Sequence, residues 1–432
     1  MPISRNLRTQ YHIKDLSLII SFLFFLYLLL HLHLHRSSST LPSFHTNTTL
    51  SSNSSNTTTT PTTLRHILFS IASSSDTFPK RNDYIRLWYK PNSTRAYLFL
   101  DRPTPISSLS TTTTLPPTLI YGNTSKFPYN FQWGHRYAIR IARIVKQAVE
   151  QNDSAIRWFV FGDDDTVFFT VNLVQTLAKY DHDRWFYVGA NSERYELNEY
   201  FSFEMGFGGA GFAISHSLAR VLARVLDSCL MRYPHLYGSD ARVFSCLAEL
   251  GVELTHESGF HQVDLLGNLF GVLSSLPLSP LVSLHHLDFV DPIFPNMTRT
   301  QALEHLFEVS NVDPARILQQ TVCYDTLNSF TVSVAWGYAV QVFEGNHLLS
   351  DLLSVEETFK SWEKKGEDLN SETHLNKALS QYFEMGCINR VSLKRGHDNI
   401  IYVCTAPRRV DPASSQMFDQ GRIPTTAGRP TG

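Results

Sequence analysis

The sequence predicts an α/β fold with a mostly parallel sheet that helices cover on both faces. Short apolar runs typical of buried strands alternate with segments in which apolar residues recur every three to four positions, as in amphipathic helices. This alternation implies that each helix returns the chain to the same sheet. The 432 residues, 43% apolar and 18% charged, suffice for such a domain and for further segments outside it.

The predicted elements follow one another through the middle of the chain. Strands are predicted at residues 97–100, 156–161 and 185–188. Helices are predicted at residues 133–151, 172–180 and 218–229, and a fourth begins near Ser239. Ser215 is the expected N-cap of the third helix and Ser239 that of the fourth, because a serine hydroxyl can accept a hydrogen bond from the first turn.

An apolar segment near the N-terminus, residues 16–34, is just long enough to span a thin bilayer. Three basic residues precede it and only Arg36 follows closely, so the positive-inside rule leaves residues 1–15 in the cytosol and the rest in the lumen. A cleaved signal peptide is the alternative, although no small-residue cleavage site follows the apolar run. We predict an uncleaved signal anchor and hence a single-pass type II membrane protein.

The composition is that of a lumenal glycoprotein. Residues 35–63 are mostly serine and threonine with little to bury, and we expect an extended stem. Seven N-x-Ser/Thr sequons could be used in the lumen: Asn47, Asn53, Asn56, Asn92, Asn123, Asn152 and Asn296. Five cysteines predict two disulfides of open pairing and one spare thiol: Cys229, Cys246, Cys323, Cys387 and Cys404. The formal charge of −2 gives no reason to expect a nucleic-acid partner.

Three consecutive carboxylates, Asp163, Asp164 and Asp165, follow the apolar strand at residues 156–161. Adjacent like charges repel, and a hard divalent cation with oxygen ligands is the simplest way to neutralise them. Alternate residues of an extended chain point the same way, so Asp163 and Asp165 can face one ion while Asp164 turns to the backbone or solvent. Open α/β sheets bind ligands at the carboxyl ends of strands, which makes a metal site as well supported as the alternative, an acidic turn that caps the following helix.

Two further segments carry candidate site residues. Residues 206–211, Gly-Phe-Gly-Gly-Ala-Gly, have too few side chains for a core, so we expect their backbone to approach a ligand closely or to form a tight turn. The run is no phosphate loop, because no Gly-Lys-Ser/Thr closes it. Asp240 opens the fourth helix, where it could simply complement the helix dipole. The same position favours an ionised carboxylate, which a general base requires.

Together these motifs have a recognisable order. They are an apolar strand with Asp-Asp-Asp-Thr-Val, then Gly-Gly-Ala-Gly-Phe-Ala-Ile-Ser, then Gly-Ser-Asp-Ala-Arg-Val with Cys246 beyond it, and finally Ser283-Leu284-His285-His286. The order resembles the fringe-like β-1,3-glycosyltransferases of glycosyltransferase family 31, and most of all their plant branch, long labelled only as a domain of unknown function. The resemblance covers roughly residues 64–295 and extends more loosely to residue 409.

The resemblance implies a lumenal, metal-dependent and inverting sugar transferase of the Golgi membrane. It implies a Rossmann-like nucleotide-sugar fold (GT-A) at residues 64–310, a smaller C-terminal region at 311–410 and a disordered tail at 411–432. The implied donor is a UDP-sugar, and the implied acceptor is a hydroxyl group of a glycan or glycoconjugate, with a β-1,3 linkage. The donor sugar stays open between galactose, N-acetylglucosamine and glucose, because pocket shape decides between them.

The resemblance also implies residue roles. Asp163 and Asp165 would hold the cation, expected to be Mn²⁺, and His285 would add a ligand, with His286 as the alternative. Asp240 would be the catalytic base. The residues implied to contact the nucleotide are Asp101, Arg140, Asp164, Gly208, Gly209, Ala210 and Gly211.

One departure concerns the base. Many relatives carry two consecutive acids at this position, whereas here Ser239 precedes Asp240, which leaves a single candidate. Asp264 and Asp288 are weaker substitutes.

Two other functions compete with sugar transfer. The spacing Asp163-x-Asp165-x-Val167 also fits the nucleophile of haloacid-dehalogenase-type phosphatases. Such enzymes need a downstream cation, usually lysine, and no lysine occurs between Lys179 and Lys360. A second acidic pair is missing as well. The other alternative is a membrane-anchored lumenal protein that binds sugars without catalysis.

Overall fold

The computed structural model of this chain describes residues 60–103, 114–275, 279–327 and 329–361, together with the backbone of two short strands further on. The predicted signal anchor, most of the predicted stem and the predicted tail lie outside the described residues. Within the part that is described, none of the helices is long and apolar enough to cross a membrane.

Strands and helices alternate through most of the described chain. The strands are β1 (Ile67–Ala72), β2 (Arg95–Leu100), β3 (Thr118–Ile120), β4 (Trp158–Asp163), β5 (Val167–Phe168), β6 (Tyr187–Gly189), β7 (Phe212–Ser215), β8 (Leu254–His256), β9 (Phe260–His261), β10 (Leu265–Gly267), β11 (Ser283–Leu284), β12 (Gln320–Asp325), β13 (Phe330–Ala335), β14 (Ala339–Glu344), β15 (Phe359–Ser361), β16 (Leu393–Arg395) and β17 (Ile401–Val403). The α-helices are α1 (Phe78–Trp88), α2 (Tyr137–Ala142), α3 (Ile144–Glu150), α4 (Thr170–Leu177), α5 (Tyr195–Tyr200), α6 (His216–Arg232), α7 (Ser239–Glu249), α8 (Phe270–Ser274), α9 (Arg299–Val312) and α10 (Leu349–Leu352).

The largest sheet has seven strands in the order β3-β2-β1-β4-β7-β6-β8. Strand β7 is antiparallel to both of its neighbours, and the other neighbouring pairs are parallel. Successive residues of β1 enter different cores: Phe69 packs on one face with α1 and α4, and Leu68 on the other with α3, α6 and α7. The predicted α/β class is therefore confirmed, with helices on both faces of a mixed sheet.

The sheet creates a crevice at one edge. Strand β1 lies between β2 and β4 and is parallel to both, so the chain leaves the carboxyl end of β1 toward one side and that of β4 toward the other. Crevices of this kind are where open α/β sheets bind ligands. Ala72 pairs with Asp163, which sets the beginning of the acidic triplet at this edge.

A disulfide fixes one wall of the crevice. Cys229 on α6 is bonded to Cys246 on α7, the helix that begins beside Asp240. A closed loop of this size contributes about 3 kcal/mol in the chain-entropy account. Cys323 is free and exposed, whereas Cys387 and Cys404 lie outside the described residues. The sequence alone did not determine that Cys229 pairs with Cys246.

Two smaller sheets lie beside the large one, and residues near β5 and β9 share its core. Strands β5, β11 and β9 form a small sheet, and β12, β13 and β14 form an antiparallel one. One core joins them: Val167 of β5, Leu303 of α9 and Ala335 of β13 belong to the same buried cluster. The predicted boundary between residues 310 and 311 falls inside α9.

Some element predictions were wrong in detail. The helix predicted at residues 133–151 is two helices that meet at Arg143, whose ψ of −8° departs from helical geometry and whose Nε lies 2.8 Å from Asp227 Oδ1 on α6. The N-cap of α7 is Gly238 and not Ser239, which is the first helical residue. Ser215 does precede α6 as its N-cap, although its side chain makes no capping hydrogen bond.

Candidate metal centre and active site

The acidic triplet forms a turn that is fastened to the glycine run. The Asp163 N–H donates to Thr166 Oγ1 at 2.8 Å, and Thr166 Oγ1 donates to the Gly209 carbonyl at 2.7 Å. Thr166 is fully buried, so this link is shielded from water. The turn between β4 and β5 is therefore held in one conformation against residues 208–211.

Pairing of two short strands brings His285 to the triplet. Strand β11 runs antiparallel to β5, with Leu284 opposite Val167. His285 follows β11 directly and so lies at the level of the acidic turn. Its Nε2 is 3.1 Å from Asp165 Oδ1 and 3.8 Å from Asp163 Oδ2.

Asp163, Asp165 and His285 can share one cation. Each offers a ligand atom, and these atoms lie within 4.8 Å of one another. Both carboxylate oxygens of Asp165 are buried and in ion-pair range of Arg81 or His285, yet neither meets the geometry of a hydrogen bond. Buried polar atoms in proteins are nearly always satisfied, so atoms left in this way fit a missing ligand. Two carboxylates and an imidazole suit a divalent ion such as Mn²⁺.

We call Asp163, Asp165 and His285 together the metal cluster. The charges around it show a shortage of positive charge. The side chain of Asp163 is 38% exposed. Burial by the surrounding protein raises the pKa of its carboxyl, and the negative charges of Asp165 and Asp240 raise it further, whereas the charge of His285 lowers it. Burial alone would lower the pKa of His285. The negative charges of Asp165 and Asp163 have the larger effect, so the pKa of His285 is raised. The acids therefore stabilise any added cation.

Asp164 faces away from the metal cluster. Its Oδ2 accepts hydrogen bonds from Ser73 Oγ at 2.6 Å and Thr77 Oγ1 at 2.7 Å, and its Oδ1 accepts one from Arg81 at 2.9 Å. It turns into the protein, and not to the backbone or solvent as the sequence suggested. Three protein donors already engage this carboxylate, so the arrangement gives no support to the predicted nucleotide contact of Asp164.

Arg81 is the site residue that sequence reasoning missed. Its guanidinium reaches three carboxylates: NH1 lies 2.9 Å from Asp164, NH2 3.2 Å from Asp165 and Nε 2.9 Å from Asp288. Asp288 also accepts a hydrogen bond of 2.7 Å from the Tyr84 hydroxyl. Asp288 therefore holds Arg81 in place, and this engagement argues against Asp288 as a substitute for the catalytic base. No local pattern in α1 marks Arg81.

His285 and not His286 joins the metal cluster. The backbone of His286 is left-handed, with φ at 57°, and its Nδ1 lies 3.0 Å from Asp264 Oδ1. Asp264 Oδ2 accepts a hydrogen bond of 2.5 Å from Ser192 Oγ. His286 and Asp264 therefore form a separate pair, which weakens the case for His286 as the metal ligand and for Asp264 as the base.

The glycine run makes room for the site's own side chains. A Cβ on Gly208 would lie 2.5 Å from Asp240 Oδ1, and a Cβ on Gly209 would overlap the imidazole of His285. Ala210 is fully buried, its N–H donates to Gln262, and its carbonyl accepts a hydrogen bond from Ser283 Oγ.

Gly211 has a φ of +86°, which only glycine adopts without strain. The predicted tight turn is confirmed. Contacts within the protein account for these residues, and their predicted contact with a nucleotide stays a prediction.

We expect Gly209→Ala to lower the affinity for Mn²⁺ roughly tenfold or more, because the new methyl group displaces the imidazole of His285. Overpacking should also lower the free energy of unfolding by about 1–3 kcal/mol. Calorimetric titration with Mn²⁺ and a thermal unfolding curve measure the two effects. Gly122→Ala is the control, because a Cβ there meets only the ends of flexible side chains. Unchanged Mn²⁺ affinity in Gly209→Ala would contradict the assignment of His285.

Asp240 lines the same pocket as Asp163. The two carboxylates line this pocket together with Gly208 and apolar side chains that include Phe161 and Val243. Burial raises the pKa of Asp240, opposed by hydrogen bonds from the Gly208 N–H and from Ser239 Oγ, the latter at 3.0 Å. A carboxylate with a raised pKa in a pocket is suited to accept a proton.

Arg242 fixes the turn that carries Asp240. Its side chain is fully buried and donates hydrogen bonds to the carbonyls of Gly238 at 2.7 Å and Tyr237 at 3.2 Å. The guanidinium lies over the ring of Tyr129, 4.8 Å from its centroid. The arginine of the Gly-Ser-Asp-Ala-Arg-Val motif therefore acts on Asp240 through the backbone.

The two remaining predicted contacts lie near the same crevice. Asp101 follows β2 and accepts hydrogen bonds from the N–H of Ser75 at 2.7 Å and from its hydroxyl at 2.9 Å. Arg140 on α2 lies over the ring of Tyr121, 5.7 Å from its centroid. Neither arrangement tests a nucleotide contact, which remains a prediction for both.

Residues 197–380 match one known family. It is described as a protein of unknown function, DUF604. The match begins after the acidic triplet and includes the glycine run, Asp240 and His285. It agrees with the resemblance to the plant branch that long carried such a label, and it supports a glycosyltransferase-related family without naming an activity. No curated protein matches the chain.

Proposed function

We propose that this protein is a metal-dependent, inverting glycosyltransferase that moves a sugar from a UDP-sugar to an acceptor hydroxyl. The observation that carries the proposal is one crevice that holds two chemically distinct groups. One is the metal cluster of Asp163, Asp165 and His285, and the other is the single carboxylate of Asp240, which lines the same pocket as Asp163. A transferase of this kind needs both, a cation for the leaving group and a base for the acceptor.

The metal cluster serves the donor. Bound there, a divalent ion, which we expect to be Mn²⁺, supplies positive charge to the pyrophosphate as the glycosidic bond breaks. Asp163, Asp165 and His285 would be its ligands, and the Arg81 guanidinium forms an ion pair with Asp165, NH2 lying 3.2 Å from Oδ2. Ligands that are held by other side chains in this way bind metals more tightly.

Asp240 serves the acceptor. Inversion needs one base on the face opposite the leaving group, to accept the proton of the hydroxyl that attacks the anomeric carbon. Asp264 pairs with His286, and Asp288 pairs with Arg81 and Tyr84, so both are engaged in supporting contacts. Asp240 opens into the pocket, and this favours it as the base.

Further features fit the proposed setting. The mixed sheet with its crevice beside β1 suits a GT-A nucleotide-sugar fold, although β-1,3 linkage rests on the resemblance alone. The disulfide between Cys229 and Cys246 suits an oxidising lumen. Four sequons lie on the surface: Asn92, Asn123, Asn152 and Asn296. We therefore propose a type II protein of the Golgi membrane whose enzyme domain is lumenal.

The proposal is tested by hydrolysis of a panel of UDP-sugars, with Mn²⁺ or with a chelator. Many transferases hydrolyse their donor slowly without an acceptor, so we expect UDP release from one member of the panel and its loss when the ion is removed. The member that reacts also names the donor sugar. No turnover together with no metal-dependent binding would favour the non-catalytic sugar-binding alternative.

A further inference from the structure

Aromatic side chains form a continuous ridge beside Asp240. The ring of Tyr237 lies 5.4 Å from that of Phe131 and 6.3 Å from that of Phe201, and Phe201 lies 4.8 Å from Tyr200, all between centroids. Tyr237 is only three residues before Asp240 in the chain. We call Phe131, Tyr200, Phe201 and Tyr237 the aromatic ridge.

The ridge is open to solvent at both of its tyrosines. Tyr200 is 67% exposed and Tyr237 is 47% exposed. Aromatic side chains gain much free energy from burial, so two exposed tyrosines in one group of rings indicate a surface that binds something. Because the ridge lies beside the crevice, its position indicates which reaction partner it can contact.

The ridge contacts the segment that lies against Asp240. The ring of Phe201 contacts that of Phe207, with centroids 6.1 Å apart. Phe207 directly precedes Gly208, whose backbone lies against the carboxylate of Asp240. The ridge therefore lies on the Asp240 side of the crevice.

Tyr137 extends the exposed aromatic surface toward the pocket. It is 49% exposed at the start of α2. It is the first residue of α2, the helix whose Ile141 and Ala142 line the same pocket as Asp163 and Asp240. Tyr137 is thus an exposed aromatic residue on a helix that borders the pocket.

The chemistry of these side chains favours a sugar ring. A pyranose presents C–H groups on its faces and hydroxyls around its rim, so flat aromatic rings can cover a face while tyrosine hydroxyls bond the rim. An aliphatic patch offers no such pairing, and the exposed leucines and valine at 348–355 show that the two kinds of surface are separate in this chain.

We propose that the aromatic ridge and Tyr137 bind sugar rings of a glycoside acceptor and present its hydroxyl to Asp240. The inference rests on the proposed function and deepens it, because it names the residues that bind the acceptor and select a sugar ring there. The donor's pyrophosphate belongs to the metal cluster, and the ridge adjoins the base, so the ridge binds the acceptor and not the donor.

Tyr237→Leu and Tyr137→Ala test the ridge in the full-length protein. The probes are p-nitrophenyl glycosides of galactose, glucose and N-acetylglucosamine, used with the UDP-sugar that the hydrolysis panel identifies. We expect each variant to raise the acceptor KM roughly five- to thirtyfold and to lower the ratio of transfer to donor hydrolysis. Tyr237→Phe keeps the ring and should stay within about threefold of wild type, the value of one neutral hydrogen bond.

Tyr324→Leu is the matched control. Tyr324 is 45% exposed, close to the exposure of Tyr237, but it belongs to β12 in the separate antiparallel sheet. We expect its acceptor KM and its donor hydrolysis to equal those of wild type. Should Tyr237→Leu fail to fold, Tyr137→Ala carries the same test, because an exposed alanine suits a helix.

Binding measured without turnover separates this inference from the proposed function. Saturation-transfer NMR with the same glycosides should show contact to the C–H protons of the sugar in wild type and a loss of that contact in Tyr237→Leu. Sugar contact without any UDP-sugar hydrolysis would sink the proposed function and leave the ridge as a glycan site. Hydrolysis without sugar contact, or an acceptor KM unchanged in both tyrosine variants, would overturn the ridge.

Discussion

Asp240→Asn is expected to abolish sugar transfer while leaving Mn²⁺-dependent binding of UDP intact. The amide keeps the shape of the side chain but cannot accept the acceptor's proton, and the loss of a general base costs roughly 10²- to 10⁴-fold in rate. Asp240 is not one of the three residues of the metal cluster, so the variant keeps all of its ligands. Transfer assays and calorimetric titration of UDP measure the two halves of this expectation.

Asp264→Asn is the matched comparison. It also removes one buried carboxylate, but this carboxylate pairs with His286 and Ser192. We expect it to keep measurable transfer. Full activity in Asp240→Asn, or a loss confined to Asp264→Asn, would move the base away from Asp240.

Asp165→Asn is expected to remove metal-dependent donor binding. The substitution takes away the charge of a fully buried ligand, so the affinity for UDP in the presence of Mn²⁺ should fall roughly 10- to 100-fold or more. Arg81 and His285 also lose an acidic partner, which should lower the free energy of unfolding by about 3–5 kcal/mol. Calorimetry with and without Mn²⁺, followed by thermal unfolding, measures both.

A second acidic group supplies the control for Asp165. Asp181, His182 and Asp183 could also gather three ligand atoms, but both acids are exposed and the group lies outside the crevice residues. Asp181→Asn should leave donor binding unchanged. If Asp165→Asn retained the full Mn²⁺ dependence of the wild type, the metal assignment would be wrong.

The sequence predicts those parts of the fold that follow local rules. The strand predicted at residues 156–161 is β4, which extends to Asp163 because Asp163 still pairs with Ala72. The helix predicted at residues 218–229 is α6, whose apolar stripe has a regular period. An acidic turn at the end of a buried strand is visible in the same way, because strand and turn are neighbours in the chain.

Other features depend on contacts between distant segments. Strand β1 was not predicted, although all six of its residues are buried and it lies between β2 and β4 in the large sheet. The choice between His285 and His286 depends on the pairing of β11 with β5. Arg81 meets carboxylates that are more than 80 residues away, and nothing in the sequence of α1 signals it.

The sequence explains the glycine run at residues 206–211 only in part. A glycine run indicates close approach by some group, and the sequence suggested a ligand or a turn. The structure shows that the imidazole of His285 occupies the space beside Gly209, and the carboxylate of Asp240 that beside Gly208. Two side chains of the site therefore account for the missing Cβ atoms.

The central claim is that Asp163, Asp165 and His285 hold the ion that binds the donor's pyrophosphate. Electron–nuclear double resonance on the Mn²⁺-loaded, full-length protein with UDP tests it most directly. The account predicts a ¹⁴N coupling from one imidazole, lost in His285→Gln and kept in His286→Gln, and a ³¹P coupling that appears only with UDP. Bound Mn²⁺ without a nitrogen coupling, or with one that survives in His285→Gln, would contradict the account.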